Sequence, residues 1–241
     1  MARTMNDNIL DMMARIYGAQ QAKSLLSLQI PATAKDLAEV QSYQTEHIPL
    51  VLSGFVCRKG AYCDSDGITG VYMSGEMCGI DALVLDEDED LLVVGANTEV
   101  GFLPKSLLRE RTEALAPLLW KASARANIRL RKWLEVIALR NASAAIAFLL
   151  CEFRARMRFR GESVGRTIRL PFTQEQYGMM LGVSAIHANR CFVRMREDKY
   201  FEHRRGAFYA CDWEALTALS NYNDTYLWLN HSEELGRNKS Q

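Results

Sequence analysis

The residues of this chain that could do chemistry are spaced for recognition, with none of the groupings that break bonds. Its four histidines (47, 187, 203 and 231) lack metal-ligand spacing, and no serine or cysteine is placed to act with them as a nucleophile. No catalytic residue, metal or cofactor is therefore expected. Six cysteines (57, 63, 78, 151, 191 and 211) form no CxxC pair and read as reduced thiols. Cys57, Cys63 and Cys78 could gather as a thiol switch or metal site, though each fits equally well as a small strand residue. The run Asp86-Glu87-Asp88-Glu89-Asp90 lacks the glycine and closing glutamate of a calcium loop and reads as a solvated hairpin tip.

The recognition signals lie between Leu170 and Cys211. Thr173 suits a helix N-cap, with Gln176 three residues on to close a capping box. A short helix should run to Leu181, with Gly182 where a tight turn needs positive φ. Ser184 then caps a second helix through about Glu197. Two short helices joined by a glycine turn make a helix-turn-helix. On the second helix Ala188, Cys191, Phe192 and Met195 form an inward stripe. Ala185, Ile186, Asn189, Arg190 and Val193 face out near its start, where side chains would meet base edges in a major groove. The Arg190 fork suits a guanine edge, and Ile186 suits a thymine methyl.

Tyr200–His203 and Ala207–Cys211 flank Arg204-Arg205-Gly206 as a hairpin with a basic tip, a wing suited to phosphate. Arg194, Arg196 and Lys199 extend the positive surface. Charge is divided along the chain: residues 1–120 carry 9 Lys/Arg against 17 Asp/Glu, and residues 121–241 carry 20 against 12. An acidic half joined to a basic half implies two units with different partners.

Several elements must position these residues. Apolar positions at helical spacing over 8–28 predict one or two short helices. From about 48 to 104 come short β-like runs (Leu50–Cys57, Val71–Met73, Leu91–Ala96, Val100–Leu103) separated by turn signals at Asp66-Gly67, Ser74-Gly75-Glu76 and Ala96-Asn97. Many short strands suggest a small antiparallel barrel or jelly roll. From Pro117 onward the chain turns helical. Leu115, Leu119, Ala122, Ala126, Leu130, Trp133 and Ile137 step by threes and fours, which suits a dimer seam. Asn141-Ala142-Ser143 offers a stop and a new cap before a helix over Ala144–Phe159. Met1–Leu10 lacks a basic region followed by a long apolar run, and Ala142–Cys151 is too short to span a bilayer. The expected compartment is the cytoplasm.

The stretch from Thr173-Gln174-Glu175-Gln176-Tyr177-Gly178-Met179-Met180-Leu181-Gly182-Val183-Ser184 through Arg190, with Asp212-Trp213-Glu214-Ala215-Leu216, resembles the Crp–Fnr family of bacterial regulators. Leu52-Ser53-Gly54 and Ser74-Gly75-Glu76-Met77-Cys78-Gly79 resemble its sensor barrel more diffusely, and the likeness covers roughly residues 40–229. The resemblance implies a β-barrel sensor, a long dimer helix, a winged helix-turn-helix, and a homodimer on palindromic double-stranded DNA. RNA polymerase is a candidate further partner. The family's base-reading positions fall on Ala185, Ile186 and Arg190. Ile186 stands where the family commonly has a glutamate, so the preferred DNA sequence should differ. His187 stands where the family often has a phosphate-contacting threonine. The family's ribose-binding glutamate position is Ile80 here. Residues 60–104 contain no Lys, Arg or His against ten Asp/Glu, so a cyclic phosphate would meet charge of its own sign. No cysteine precedes Cys57 to hold an N-terminal iron–sulfur cluster.

The expected class is α+β: an N-terminal antiparallel β-barrel or jelly roll, a long dimerisation helix and a C-terminal winged helix-turn-helix. The expected divisions are an N-terminal helical segment (1–30), a degenerate cyclic-nucleotide-binding-like sensor (31–110), the dimerisation helix (111–141), the DNA-binding domain (142–230) and a polar tail (231–241). The expected DNA-facing set is Thr173, Gln174, Ser184, Ala185, Ile186, His187, Asn189, Arg190, Arg194, Arg204 and Arg205.

Overall fold

The computed structural model describes residues 5–27, 33–34, 43–62, 65–85, 90–138, 141–161, 167–170, 172–204 and 208–227. It forms two compact units, Met1–Asn127 and Ile128–Gln241. Among the described residues no helix is long and apolar enough to cross a membrane.

In the first unit, α1 (Met5–Tyr17) and α2 (Ala19–Leu26) are divided by Gly18 at φ 98°, a conformation in which a Cβ would be strained. Met13, Ile16, Tyr17, Ala22 and Leu25 are buried. Strands β1 (Thr33–Ala34), β2 (His47–Tyr62), β3 (Ser65–Met73) and β4 (Asp90–Pro104) form one antiparallel sheet in the order β1-β4-β2-β3. Val51, Val56, Tyr72, Cys78, Val100 and Phe102 build its core.

Three long strands thus replace the expected series of short ones. Asp66-Gly67 lies inside β3, with Gly67 paired to Gly60. Ala96-Asn97 lies inside β4, where the register against β2 slips between Ser53↔Glu99 and Phe55↔Val94. A bulge absorbs the residues that looked like a turn. The Thr98 hydroxyl plugs it, accepting from Phe55 N at 3.2 Å and donating to Phe55 O at 3.3 Å. The turn at Ser74-Gly75 falls where expected. The described strands form an open, jelly-roll-like sheet and do not close into a barrel. Cys57 and Cys78 are buried, Cys63 and residues 86–89 lie outside the described residues, and no cluster able to hold a metal occurs among those described.

Short helices α3 (Ala82–Leu85) and α4 (Lys105–Glu110) lead into α5 (Thr112–Ala138), which runs from the first unit into the second. Pro117, expected near the start of helical structure, is inside α5. Of the expected seam, Leu115, Ala122 and Trp133 are buried within the chain itself, as are Leu118 and Val136, while Leu119 and Ala126 are half-buried. Buried side chains offer no surface to a second copy. The exposed apolar residues are Trp120 (80%), Leu134 (58%), Ile137 (40%) and Leu130 (37%). On a 3.6-residue helix these four span roughly 100° of arc, and the expected seam runs along the border between them and the buried stripe.

In the second unit, α6 (Ala142–Phe159) starts two residues earlier than expected, with Asn141 Oδ1 accepting from Ala144 N at 3.1 Å. Its centre carries Glu152, fully buried. The carboxylate accepts from Arg156 Nη1 at 3.2 Å, Trp133 Nε1 at 3.3 Å and the Tyr226 hydroxyl. Three donors compensate the buried charge and tie the end of α5, α6 and the turn at Thr225–Leu227 together. Strands β5 (Thr167–Arg169), β6 (Phe201–Arg204) and β7 (Phe208–Cys211) form an antiparallel sheet in the order β5-β7-β6. Between β5 and β6 run α7 (Gln174–Leu181) and α8 (Ala185–Glu197), and after β7 Asp212 caps α9 (Trp213–Ser220), its Oδ1 accepting from Ala215 N at 3.1 Å.

Candidate nucleic-acid interface

Helices α7 (Gln174–Leu181) and α8 (Ala185–Glu197) are the two arms of the expected motif. Thr173 caps α7 through a complete capping box: Thr173 Oγ1 accepts from Gln176 N at 3.2 Å, and Gln176 Oε1 accepts from Thr173 N at 2.8 Å. Gly182 ends the helix at φ 65°. Gly178 has a role that no local sequence signal announces. Val183 N donates to Gly178 O at 3.0 Å, and a Cβ on Gly178 would lie 2.8 Å from Val183 O. Only glycine permits so close an approach without movement of the turn.

Ser184 Oγ then accepts from His187 N at 3.2 Å and starts α8. The end of α8, where Glu197-Asp198 gives a poor stop signal, is made by the backbone. Tyr200 N donates to Met195 O at 2.9 Å and Lys199 N to Arg196 O at 3.1 Å, with Lys199 at φ 62°. This is a Schellman closure carried by a lysine where glycine is usual.

An aromatic chain sets the angle of α8. Tyr177 is fully buried, with Phe192 at 5.0 Å and Phe172 at 6.0 Å between ring centres; Phe192 lies 5.7 Å from Phe201 of β6. Ala188, Phe192 and Met195 are buried as expected, and Cys191 is half-buried. That burial leaves Ala185, Ile186, His187, Asn189 and Arg190 exposed on the opposite face, Ile186 at 68%.

Asn189 Nδ2 donates to Gln174 Oε1 across the two helices. His187 Nε2 lies 3.8 Å from Cys191 Sγ. Arg194 is exposed and 3.8 Å from Asp198, a pair too open to water to hold it strongly. Thr173 and Ser184 are exposed, but their hydroxyls are engaged in caps. Arg204 closes β6, whose register against β7 pairs it with Phe208. Arg205 lies outside the described residues. β5, which extends the wing to three strands, was not expected from the sequence.

Residues 144–219 match the Crp-like helix-turn-helix domain. The second unit therefore carries a Crp-like helix-turn-helix domain. Among solved structures, FixK2 from Bradyrhizobium japonicum shares 16% identity and a TM-score of 0.63, over 75% of this chain and 90% of that one. A CRP/FNR-family transcriptional regulator from Thermus thermophilus shares 14% and 0.55, over 73% and 89%. A candidate cyclic nucleotide binding protein from Ruegeria pomeroyi shares 15% and 0.59, over 91% and 100%. No curated protein matches the sequence. At these identities the likeness to these structures is one of fold.

Proposed function

We propose that this chain is a sequence-specific transcription regulator that binds a palindromic DNA site as a cytoplasmic homodimer without cyclic nucleotide. The observation that carries the reading is the division of α8. Ala188, Phe192 and Met195 anchor one face, while Ile186, Asn189 and Arg190 project unburied from the other. A helix held by its caps and its aromatic floor, with its first turns free, is the geometry that reads a major groove. Dimerisation is supported by the exposed apolar stripe Trp120, Leu130, Leu134 and Ile137. Independence from cyclic nucleotide is supported by the absence of any Lys, Arg or His over residues 60–104, with Ile80 at the position of the family's ribose-binding carboxylate.

The test is selection of bound duplexes from a random pool by the purified protein with no effector added. A symmetric motif with half-sites about 34 Å apart along the duplex is expected. Recovery of sequences with no common motif would remove sequence-specific reading. A motif that emerges only with cyclic AMP or cyclic GMP would remove independence alone.

A further inference from the structure

The second unit holds a cavity of about 710 Å³, lined by none of the residues assigned to DNA, between the C-terminal half of α6 and α9 with the segment that follows it. Its size suits a small organic molecule. Arg154 and Arg158, one helical turn apart, line one side; Thr217, Tyr222, Asn223 and Asp224 are among those lining the other. The Arg154 guanidinium lies over the Trp213 ring, 4.4 Å from its centre. Its Nε is buried and has no hydrogen-bond partner among the described residues. Neither arginine forms an ion pair among the described residues. Burial, and then the neighbouring Arg158, push the Arg154 guanidinium below the ordinary arginine range. An unsatisfied donor beside a like charge is a costly arrangement unless an anion completes it.

We propose that this cavity binds a small hydroxylated phosphomonoester, its phosphate held between Arg154 and Arg158. The aromatic ring beneath Arg154 fixes its plane, so its N–H groups are presented along the edge as a fork. Two guanidinium groups bring two positive charges, twice what a single carboxylate neutralises. A phosphomonoester brings three terminal oxygens and a charge of about −1.5 to −2 at neutral pH, close to the charge of two guanidinium groups. Asp224, Asn223 and Thr217 supply acceptors and donors for hydroxyl groups on the remainder of the ligand.

Calorimetric titration of the full chain with ribose 5-phosphate tests this, with ribose, inorganic phosphate and succinate at matched ionic strength. Ribose 5-phosphate should bind more tightly than all three. Arg158→Gln and Arg154→Lys should each weaken it about tenfold or more, since neither replacement restores the fork. Arg158 is exposed, so its variant should melt as the parent does, which keeps the result independent of folding. Arg190→Ala should titrate like the parent. No binding of either phosphate compound, equal binding of succinate, or an unchanged Arg158→Gln titration each overturns the site. Loss of binding in Arg190→Ala places the anion on the DNA face and overturns it too. Inorganic phosphate binding without ribose 5-phosphate overturns the hydroxylated ligand.

Discussion

Asn189 donates its side-chain amide to the Gln174 side chain, tying a residue of the outward face of α8 to the first residue of α7. Gln174 thereby sets the direction in which Asn189 can reach a base. The two should act as a unit in DNA binding. A double-mutant cycle of Gln174→Ala and Asn189→Ala, read by titration of the selected duplex, should show a coupling of about 0.5 kcal/mol or more. Strictly additive losses would mean that Asn189 acts without its neighbour.

Arg190 and the wing should separate base reading from phosphate anchoring. Arg190→Ala should cost about 1–3 kcal/mol at one base pair per half-site and relax preference there. Arg204→Ala or Arg205→Ala should weaken binding to all sequences alike and flatten the salt dependence by about one unit for each phosphate the variant no longer holds. Titrating each variant against single-base substitutions of the site at two salt concentrations makes the comparison. An Arg190 variant that loses equally on every sequence would be a phosphate anchor.

The exposed stripe of α5 makes a revised prediction about assembly. Leu130→Glu and Leu134→Glu each put a charge where an apolar partner would bury it, and should yield monomers by light scattering. Trp133 is already buried and its Nε1 donates to Glu152, so Trp133→Ala should lower the melting temperature instead. Dimers persisting in both glutamate variants would move the interface elsewhere.

Two glycines four residues apart should respond differently to alanine. At Gly182 a Cβ meets nothing within 4 Å, and the cost is that of φ 65°, about 1–2 kcal/mol. At Gly178 the Cβ would press on backbone that defines the turn, at 2.8 Å from Val183 O. Gly178→Ala should therefore destabilise more, by about 2–3 kcal/mol, and reduce DNA affinity as well. Denaturant melts and duplex titrations of the two variants decide the order.

Alkaline stability should report the buried thiol behind the wing. Burial pushes Cys211 from 9.0 up to about 12, with Cys151 adding to the shift and Arg154 partly offsetting it. The folded state keeps a proton that the unfolded chain releases. This contribution is fully present below pH 9.0 and is lost as pH rises toward about 12. The slope is at most about 1.4 kcal/mol per pH unit for one such thiol. Urea melts from pH 8 to pH 11 (roughly the window of that shift) should show the fall, and Cys211→Ala should reduce it. An unchanged slope in the variant would assign the fall to other groups, with half-buried Tyr222 and buried Tyr226, both raised by desolvation, first among them.

The helix-turn-helix was legible in the sequence because its signals are local. A cap such as Thr173 or Ser184 bonds the backbone three residues ahead, and Gly182 adopts its own φ; each interaction closes within one turn of chain. The inward stripe of α8 was equally readable, since its spacing alone separates Ala188, Phe192 and Met195 from Ile186 and Arg190. Tertiary structure decided what depends on distant partners. Gly178 matters because Val183 folds back on it, and the turn-like Ala96-Asn97 became part of a bulge because β2 pairs across it. On α5, spacing marks apolar residues but cannot say which stripe another element covers. Packing that buries Leu115, Ala122 and Trp133, while leaving Trp120 and Leu134 in solvent, settled that. Arg154 reads in sequence as one more basic residue; only the fold lays it on Trp213 at the edge of a cavity, where desolvation and an unpaired donor give it a different chemistry.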